Sequence, residues 1–163
     1  MKKLLLIAFL SITCLTQAQE LPTIPANGFA FPIGTKFTIK LIEVDSINFD
    51  YSVIAFEQFD KTVDTYSHDD LFDKIGNDST ITFYFCLGTH GETEAEKKKN
   101  TQVLLLMKNY TKFALKYSSD IQREQDGKFE FTSNIGIFPG AMGMEMWPYM
   151  IYTIGLNRFE KYR

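Results

Sequence analysis

The sequence predicts an all-β protein, an antiparallel β-sandwich of about seven strands with one or two short helices. Two observations lead to this class. Stretches in which apolar and polar residues alternate recur from residue 36 to the end, and a period of two is the pattern of a strand with one buried face. These stretches follow one another too closely for the long crossovers that a parallel sheet needs. An immunoglobulin-like sandwich is one form of this class, although the Cys–Trp–Cys pattern of antibody domains is absent, and a small closed barrel is the alternative.

Seven strands account for most of residues 36–163. Each is rich in β-branched and aromatic residues and is bounded by turn-forming residues. In order they are KFTIKLIEV (36–44), INFDYSVIAFEQF (47–59), STITFYFCLG (79–88), TQVLLLMKNY (101–110), KFALKYSSDIQRE (112–124), KFEFTSNIGIF (128–138) and YMIYTIGLNRFEKYR (149–163). The third is apolar almost throughout, which indicates a central strand covered on both faces. Asp126 and Gly127 separate the fifth and sixth strands and predict a tight turn, because this pair supports a positive φ.

Two short helical segments interrupt the strands. Residues 67–76 break the alternation: Ser67 can cap a helix whose first turn carries acidic residues, and Gly76 can end it, so we predict about two turns. Further on, Thr93 and Glu96 have the spacing of a capping box, which predicts either a turn of surface helix or a mobile loop.

Residues 1–18 are typical of a secretory signal peptide, which is removed on export. Two lysines precede an apolar run from Leu4 to Thr13, and Thr16 and Ala18 occupy the −3 and −1 positions of a cleavage site. The apolar run is too short to span a bilayer as a helix. The alternative is a lipoprotein signal acylated at Cys14, which Thr13 disfavours because Gly, Ala or Ser usually precedes that cysteine.

The remaining chain divides into a leader and one domain. Three prolines and two glycines fall within residues 19–35, which we therefore predict to be an extended leader lying on the surface. Residues 36–163 form a single β-sandwich domain. After cleavage Cys86 is the only cysteine, so no internal disulfide can form and the fold must depend on its hydrophobic core.

The charge of the exported chain excludes one class of partner. Without residues 1–18 the chain keeps its 20 acidic side chains and loses two of its 17 basic ones, which leaves a net charge of −5. Such a mildly acidic domain lacks the basic face that a nucleic-acid-binding protein needs. No apolar stretch in the remaining chain is long enough for a membrane span, so we expect no transmembrane helix in the exported protein. The oligomeric state stays open.

The C-terminal part, from about Val103 to Phe159, resembles a group of exported proteins. The stretches LLLMKNYTKFALKY, FTSNIGIFPG and MEMWPYMIYTIGLNRF are similar to uncharacterised small exported β-sandwich proteins of Bacteroidota, and the signal end QAQE is similar to signals of that group. The resemblance implies a location in the periplasm or at the cell surface. It brings no catalytic residues.

The segment PGAMGMEMWPYM (139–150) holds four of the six methionines and the only tryptophan. Met142, Met144 and Met146 alternate, so in a strand their side chains share one face. Thioethers bind Cu(I), which makes these three residues a candidate copper site. Methionine also fills gaps in cores, and the aromatic neighbours favour a bulged or edge segment that seats Met and Trp side chains against the sandwich.

Aromatic residues near the start of the last strand are the candidate ligand-binding residues. Trp147, Tyr149 and Tyr152 lie close together in the sequence. An exposed aromatic row suits recognition of a glycan or a peptide. The competing interpretation places these rings in the core, where a β protein also needs aromatic residues.

The sequence contains little evidence for a catalytic site. The chain has neither a G-x-S-x-G nor an H-E-x-x-H motif. His90, in GTHGETE, can serve as a general base on a loop, but a histidine without a second converging group is typical of a solvated loop residue. Cys86 lies inside an apolar strand, where we expect a buried and inert thiol. We therefore assign no catalytic residue and no cofactor.

These observations predict an exported envelope or secreted protein that works by binding. Its expected partner is another envelope protein or a glycan. A periplasmic Cu(I)-binding protein that uses Met142, Met144 and Met146 is the alternative. A small hydrolase that uses His90 is a further alternative.

Overall fold

A computed structural model describes residues 21, 22 and 24–162, and it confirms the all-β class. Within these residues, ten strands are accompanied by one α-helix and one 3-10 turn. The strands are β1 (Gly28–Pro32), β2 (Thr35–Glu43), β3 (Asn48–Gln58), β4 (Val63–Asp64), β5 (Thr80–Thr89), β6 (Gln102–Asn109), β7 (Leu115–Gln122), β8 (Phe129–Thr132), β9 (Met142–Trp147) and β10 (Thr153–Lys161). The helix is α1 (Glu94–Lys99), and the 3-10 turn is Asp69–Leu71. The predicted signal peptide and Cys14 lie outside the described residues.

The ten strands form one sheet that curls into a half-barrel. The order along the sheet is β8-β7-β10-β3-β2-β5-β6-β9, with β1 beside β10 and β4 beside β5. The described pairs are antiparallel except β4 and β5, which run parallel. Strands far apart in this order meet across the interior, where the Tyr117 hydroxyl of β7 donates to the Met107 Sδ of β6 at 3.3 Å. The curled sheet therefore encloses its core between facing walls, as the two layers of a sandwich do.

The seven predicted strands correspond to β2, β3, β5, β6, β7, β8 and β10. Three more strands are present. β1 lies within the segment expected to run over the surface as a leader; it is extended, but it joins the sheet and buries Phe31. β4 is a two-residue strand beside β5. β9 is formed by the methionine-rich segment.

Two apolar clusters lie on opposite faces of β5 and β6. On β5, Phe83 and Phe85 belong to the large inner cluster, whereas Tyr84 and Cys86 belong to a smaller outer cluster. Phe72, from the chain after β4, covers the outer cluster. Side chains alternate across a strand, so a strand that is covered on both faces needs apolar residues at nearly every position. This arrangement explains the apolar run of the predicted central strand.

The predicted two-turn helix over residues 67–76 is wrong. Only Asp69–Leu71 form a 3-10 turn, and no side chain caps it. Tyrosine hydroxyls from the sheet explain the difference. Tyr84 donates to the Leu71 carbonyl at 2.7 Å, and Tyr110 donates to the Asp73 carbonyl at 2.8 Å. In the predicted helix the Leu71 carbonyl would instead accept the N–H of the residue four positions further on.

Two local predictions are confirmed. At the start of α1 the Thr93 hydroxyl accepts the Glu96 N–H at 3.2 Å, and the Glu96 carboxylate accepts the Thr93 N–H at 3.0 Å, which completes the capping box. β7 and β8 form the predicted hairpin and Asp126 has a positive φ of 59°, although the connection is a loop over residues 123–128 rather than a two-residue turn. Both features depend on residues that are neighbours in the chain.

Two strands, β1 and β3, pair with different parts of the same edge of β10. We call the place where they diverge the fork. The first half of β10, residues 153–157, pairs with β1. The second half pairs with β3 at two positions, Phe159 with Phe49 and Glu160 with Asn48. The boundary between β10 and β3 therefore has few direct hydrogen bonds of its own.

Tyr51 of β3 fills this fork. Its buried hydroxyl accepts the Phe29 N–H at 2.8 Å and donates to the Leu156 carbonyl at 2.6 Å. Phe29 and Leu156 are opposite each other in the β1–β10 register, and the neighbouring hydrogen bond from the Arg158 N–H to the Asn27 carbonyl sets the phase of this ladder. The hydroxyl thus adds two hydrogen bonds from β3 at one paired position of the β1–β10 ladder. Burial raises the pKa of Tyr51, which keeps the hydroxyl protonated and able to donate.

Replacing Tyr51 by Phe should lower the free energy of unfolding by about 1–3 kcal/mol, because a buried hydroxyl and its two hydrogen bonds to the backbone are lost. Urea unfolding monitored by circular dichroism measures the change. Tyr66→Phe removes the same atom from a side chain that is 69% exposed and is the matched control. We expect it to change the free energy of unfolding by less than about 0.5 kcal/mol. Equal effects of the two substitutions would contradict the bridging role.

Candidate functional site

The methionine-rich segment forms the last strand on its side of the sheet. Trp147 of β9 is 6% exposed and belongs to the inner cluster. On the opposite face Met144 packs against the outer cluster, whereas Met142 and Met146 are 41% and 43% exposed. β9 is thus an edge strand that seats Trp147 and Met144 and leaves two methionines in solvent.

The three methionines of β9 do not share one environment. A strand rises about 3.4 Å per residue, so the Cα atoms of Met142 and Met146 lie about 14 Å apart. Met144, between them, is half-buried among apolar side chains. A single copper ion needs sulfurs that converge, and this spacing spreads their attachment points. Copper binding at these residues stays a prediction.

The three candidate ligand-binding aromatic residues are separated in the structure. Trp147 belongs to the core, whereas Tyr149 and Tyr152 are 37% and 40% exposed. The backbone of Tyr152 is held on both sides: its N–H donates to the Gln122 carbonyl at 2.8 Å, and its carbonyl accepts the Ile33 N–H at 2.9 Å. Of the three residues, the two tyrosines offer surface to a ligand.

A cleft of about 700 Å³ opens beside Tyr149. The connection between β7 and β8, the start of β8 and the connection between β9 and β10 form it. The lining residues are Arg123, Glu124, Asp126, Gly127, Lys128, Glu130, Tyr149 and Met150. Ligand sites commonly combine an apolar or aromatic surface with a few polar groups that orient the ligand, and this cleft has both.

Arg123 orders the aromatic ring of the cleft. Its guanidinium carbon lies over the ring of Tyr149, 4.2 Å from the ring centre, which is within the range of a cation–π interaction. The sequence gives no signal for Arg123 beyond the nearby Asp126 turn. Register pairing of Gln122 with Thr153 brings β7 beside β10, and this long-range contact places the arginine over the tyrosine.

A smaller cavity of about 180 Å³ lies at the fork between β1 and β3. Its lining is apolar and includes Phe29, Phe31, Val53 and Phe56. Among the described residues no ionisable side chain lines it, whereas charged groups in the cleft beside Tyr149 can orient a ligand. We therefore take the larger cleft as the candidate site.

The two histidines occupy different surroundings. The rings of His90 and Tyr66 are 5.0 Å apart, and the buried Nδ1 of His90 has no hydrogen-bond partner among the described residues. The Nδ1 of His68 lies 3.2 Å from the Asp64 carbonyl oxygen. Within residues 21, 22 and 24–162, no group of three or more His, Cys, Asp or Glu side chains could hold a metal ion. A hydrolase that uses His90 stays a prediction.

The thiol of Cys86 lies in the outer cluster and is buried. Burial raises its pKa to about 12. The thiolate is the reactive form of cysteine, and it is scarce at neutral pH when the pKa is this high. Cys86 is therefore a packing residue, as its place in an apolar strand predicts.

Comparisons with known proteins find no relative of this chain. No family model matches the chain, and neither a curated protein nor a solved structure matches it. The resemblance to exported proteins of Bacteroidota therefore stays a prediction. In the described part of the chain, no helix combines the length and the apolar character needed to cross a membrane.

Cys86 should resist alkylation by iodoacetamide in the native protein at pH 8, because a pKa of about 12 leaves roughly one thiolate in ten thousand. Mass spectrometry of the peptide that contains Cys86 measures the labelled fraction. The same reaction in concentrated urea is the control, and there the peptide should be labelled completely. Native labelling at the rate seen in urea would show that the thiol is accessible.

Proposed function

We propose that this chain is an exported binding protein that works in the periplasm or outside the cell and binds a glycan in the cleft beside Tyr149. The observation that carries the proposal is the stack of Arg123 on Tyr149 at the wall of a cleft with charged side chains. Sugar rings have C–H faces that stack on aromatic rings. Their hydroxyls donate hydrogen bonds to carboxylates and accept them from cations.

The balance of charges favours a ligand rich in hydroxyl groups. Two cations, Arg123 and Lys128, line the cleft together with the carboxylates of Glu124, Asp126 and Glu130. A site for a polyanion would concentrate positive charge instead. Neutral hydroxyl groups can bond to both kinds of side chain, so a glycan uses the whole lining.

The cleft is held in place by backbone contacts. The Gln122 side-chain amide donates to the Gly127 carbonyl at 2.7 Å, which ties the β7–β8 loop to the end of β7. On the other side of the cleft, the hydrogen bonds of Tyr152 to β7 and to Ile33 fix the start of β10. A site that is ordered before the ligand arrives loses less entropy on binding.

The location follows from the first 18 residues, whose pattern supports export. Glycans and envelope proteins are both found in that compartment. An envelope protein is the alternative partner, and a binding measurement with purified glycans distinguishes the two.

Replacing Tyr149 by Ala should weaken glycan binding by roughly tenfold or more, because the stacking surface is lost. A glycan array identifies the ligand, and isothermal titration calorimetry measures the dissociation constant. Arg123→Ala should have a smaller effect in the same direction, since the ring stays but is no longer held. Tyr66→Ala, at an exposed tyrosine that does not line the cleft, is the matched control and should bind as the unmodified protein does. An array without any binder, or equal binding by the Tyr149 and Tyr66 variants, would exclude this function for the cleft.

A further inference from the structure

The outer edge of β9 has no strand beside it among the described residues. Such an edge exposes a row of backbone N–H and C=O groups that another chain can pair with. The direction of these groups decides which residues of β9 are available.

Hydrogen bonds at the end of β6 show how its backbone alternates. The Tyr110 N–H donates to the Thr80 carbonyl at 3.0 Å, toward β5. The Asn109 N–H donates to the Ala141 carbonyl at 3.0 Å, toward β9. Successive residues of an antiparallel strand bond to opposite sides. Odd-numbered residues of β6 therefore bond toward β9, and even-numbered residues bond toward β5.

The register carries this alternation into β9. Odd-numbered residues of β6 lie opposite odd-numbered residues of β9, as Leu105 does with Glu145. The N–H and C=O groups of Met142, Met144 and Met146 consequently point away from β6, toward the free edge. No described residue donates a hydrogen bond to these groups or accepts one from them. We call these three residues the methionine edge.

The methionine edge lacks two features that often protect an edge strand, an outward lysine and a proline. β9 contains neither lysine nor proline. Its one charged residue, Glu145, turns to the inner side, where its carboxylate accepts the Ile135 N–H at 2.9 Å. At the opposite end of the sheet, β8 is only four residues long and follows a charged loop. The sheet is thus protected at one end and open at the other.

We propose that the methionine edge binds an extended peptide segment of a partner protein by strand addition. Three N–H donors and three C=O acceptors stand in one row, and an extended backbone presents the matching groups at the same spacing. The exposed side chains of Met142 and Met146 then pack against apolar side chains at alternate positions of the peptide. This inference goes beyond the glycan site, since none of the residues of the methionine edge lines the cleft.

A second copy of this chain is a less suitable occupant. β9 has six residues, whereas a stable interface between two folded proteins uses about 20–30 residues on each side. Two copies joined by β9 alone would fall well below that size. A peptide needs no wider interface, because main-chain hydrogen bonds along one edge supply its affinity.

Random dodecapeptides displayed on phage are the probe, selected against the purified full protein. The selected peptides should carry apolar residues at alternate positions, and fluorescence anisotropy measures the affinity of the best synthetic one. Met146→Pro removes an N–H that points outward and leaves the bonds to β6 in place, at an edge position where proline is tolerated. It should weaken binding by at least about tenfold, whereas Met146→Leu, which keeps the N–H, should stay within about twofold.

Amide hydrogen exchange provides a second measurement, which needs no substitution and holds even if the proline variant fails to fold. The bound peptide should slow exchange at Met142, Met144 and Met146 and leave Gly143 and Glu145, already bonded to β6, unchanged. The proposal is overturned if no displayed peptide binds, if the proline and leucine variants bind equally, or if the protected amides lie elsewhere. Protection of the methionine edge that rises with protein concentration in the absence of peptide would overturn it in favour of a second copy.

Discussion

The hydroxyl of Tyr51 joins the two halves of the curled sheet. β10 connects β7 and β8 to the other strands, yet it pairs with β3 at only two positions. β1 occupies the rest of that boundary, and one buried oxygen on β3 bonds to both β1 and β10. The rings of Phe29 and Phe159 meet the Tyr51 ring edge-on at 5.1 and 5.3 Å, so packing fixes the position of the hydroxyl. This contact ties β3 to the β1–β10 pair at a boundary where β3 and β10 pair directly at only two positions.

The second constraint is that β5 and β6 are covered on both faces. Their inner side chains fill the half-barrel, and their outer side chains need a cover, which the chain around Phe72 supplies. The covering segment is tied to β5 by a hydrogen bond from the Tyr84 hydroxyl to the Leu71 carbonyl. This segment forms a 3-10 turn and not a longer helix. Met144 completes the outer cluster from β9. Packing thereby explains the half-buried position of Met144.

The open methionine edge contrasts with the end of β6 beside it, where buried polar groups form hydrogen bonds. Asn109, at the end of β6, is fully buried, and its side-chain amide donates to the Phe113 carbonyl at 2.8 Å and accepts the Thr111 N–H at 2.9 Å. Buried polar groups in native proteins are almost always paired in this way. The cleft and the methionine edge offer different chemistry. The cleft presents ordered side chains to a ligand, whereas the edge presents backbone groups that only another backbone can match.

Local chemistry along the chain determined where strands form, where the Asp126 turn falls and how Thr93 starts α1, because each depends on residues within a few positions of one another. The same period of two placed Met144 and Trp147 on opposite faces, but it could not tell which face meets the core. Strand pairing decides that, and pairing joins residues far apart in the sequence. For this reason the sequence predicts a surface leader where β1 lies, leaves both a ligand-binding and a core position open for Trp147, and gives no signal for Arg123. The tertiary structure alone decided the fork at β10, the stack at the cleft and the open edge of β9, since each requires knowing which strand lies beside which.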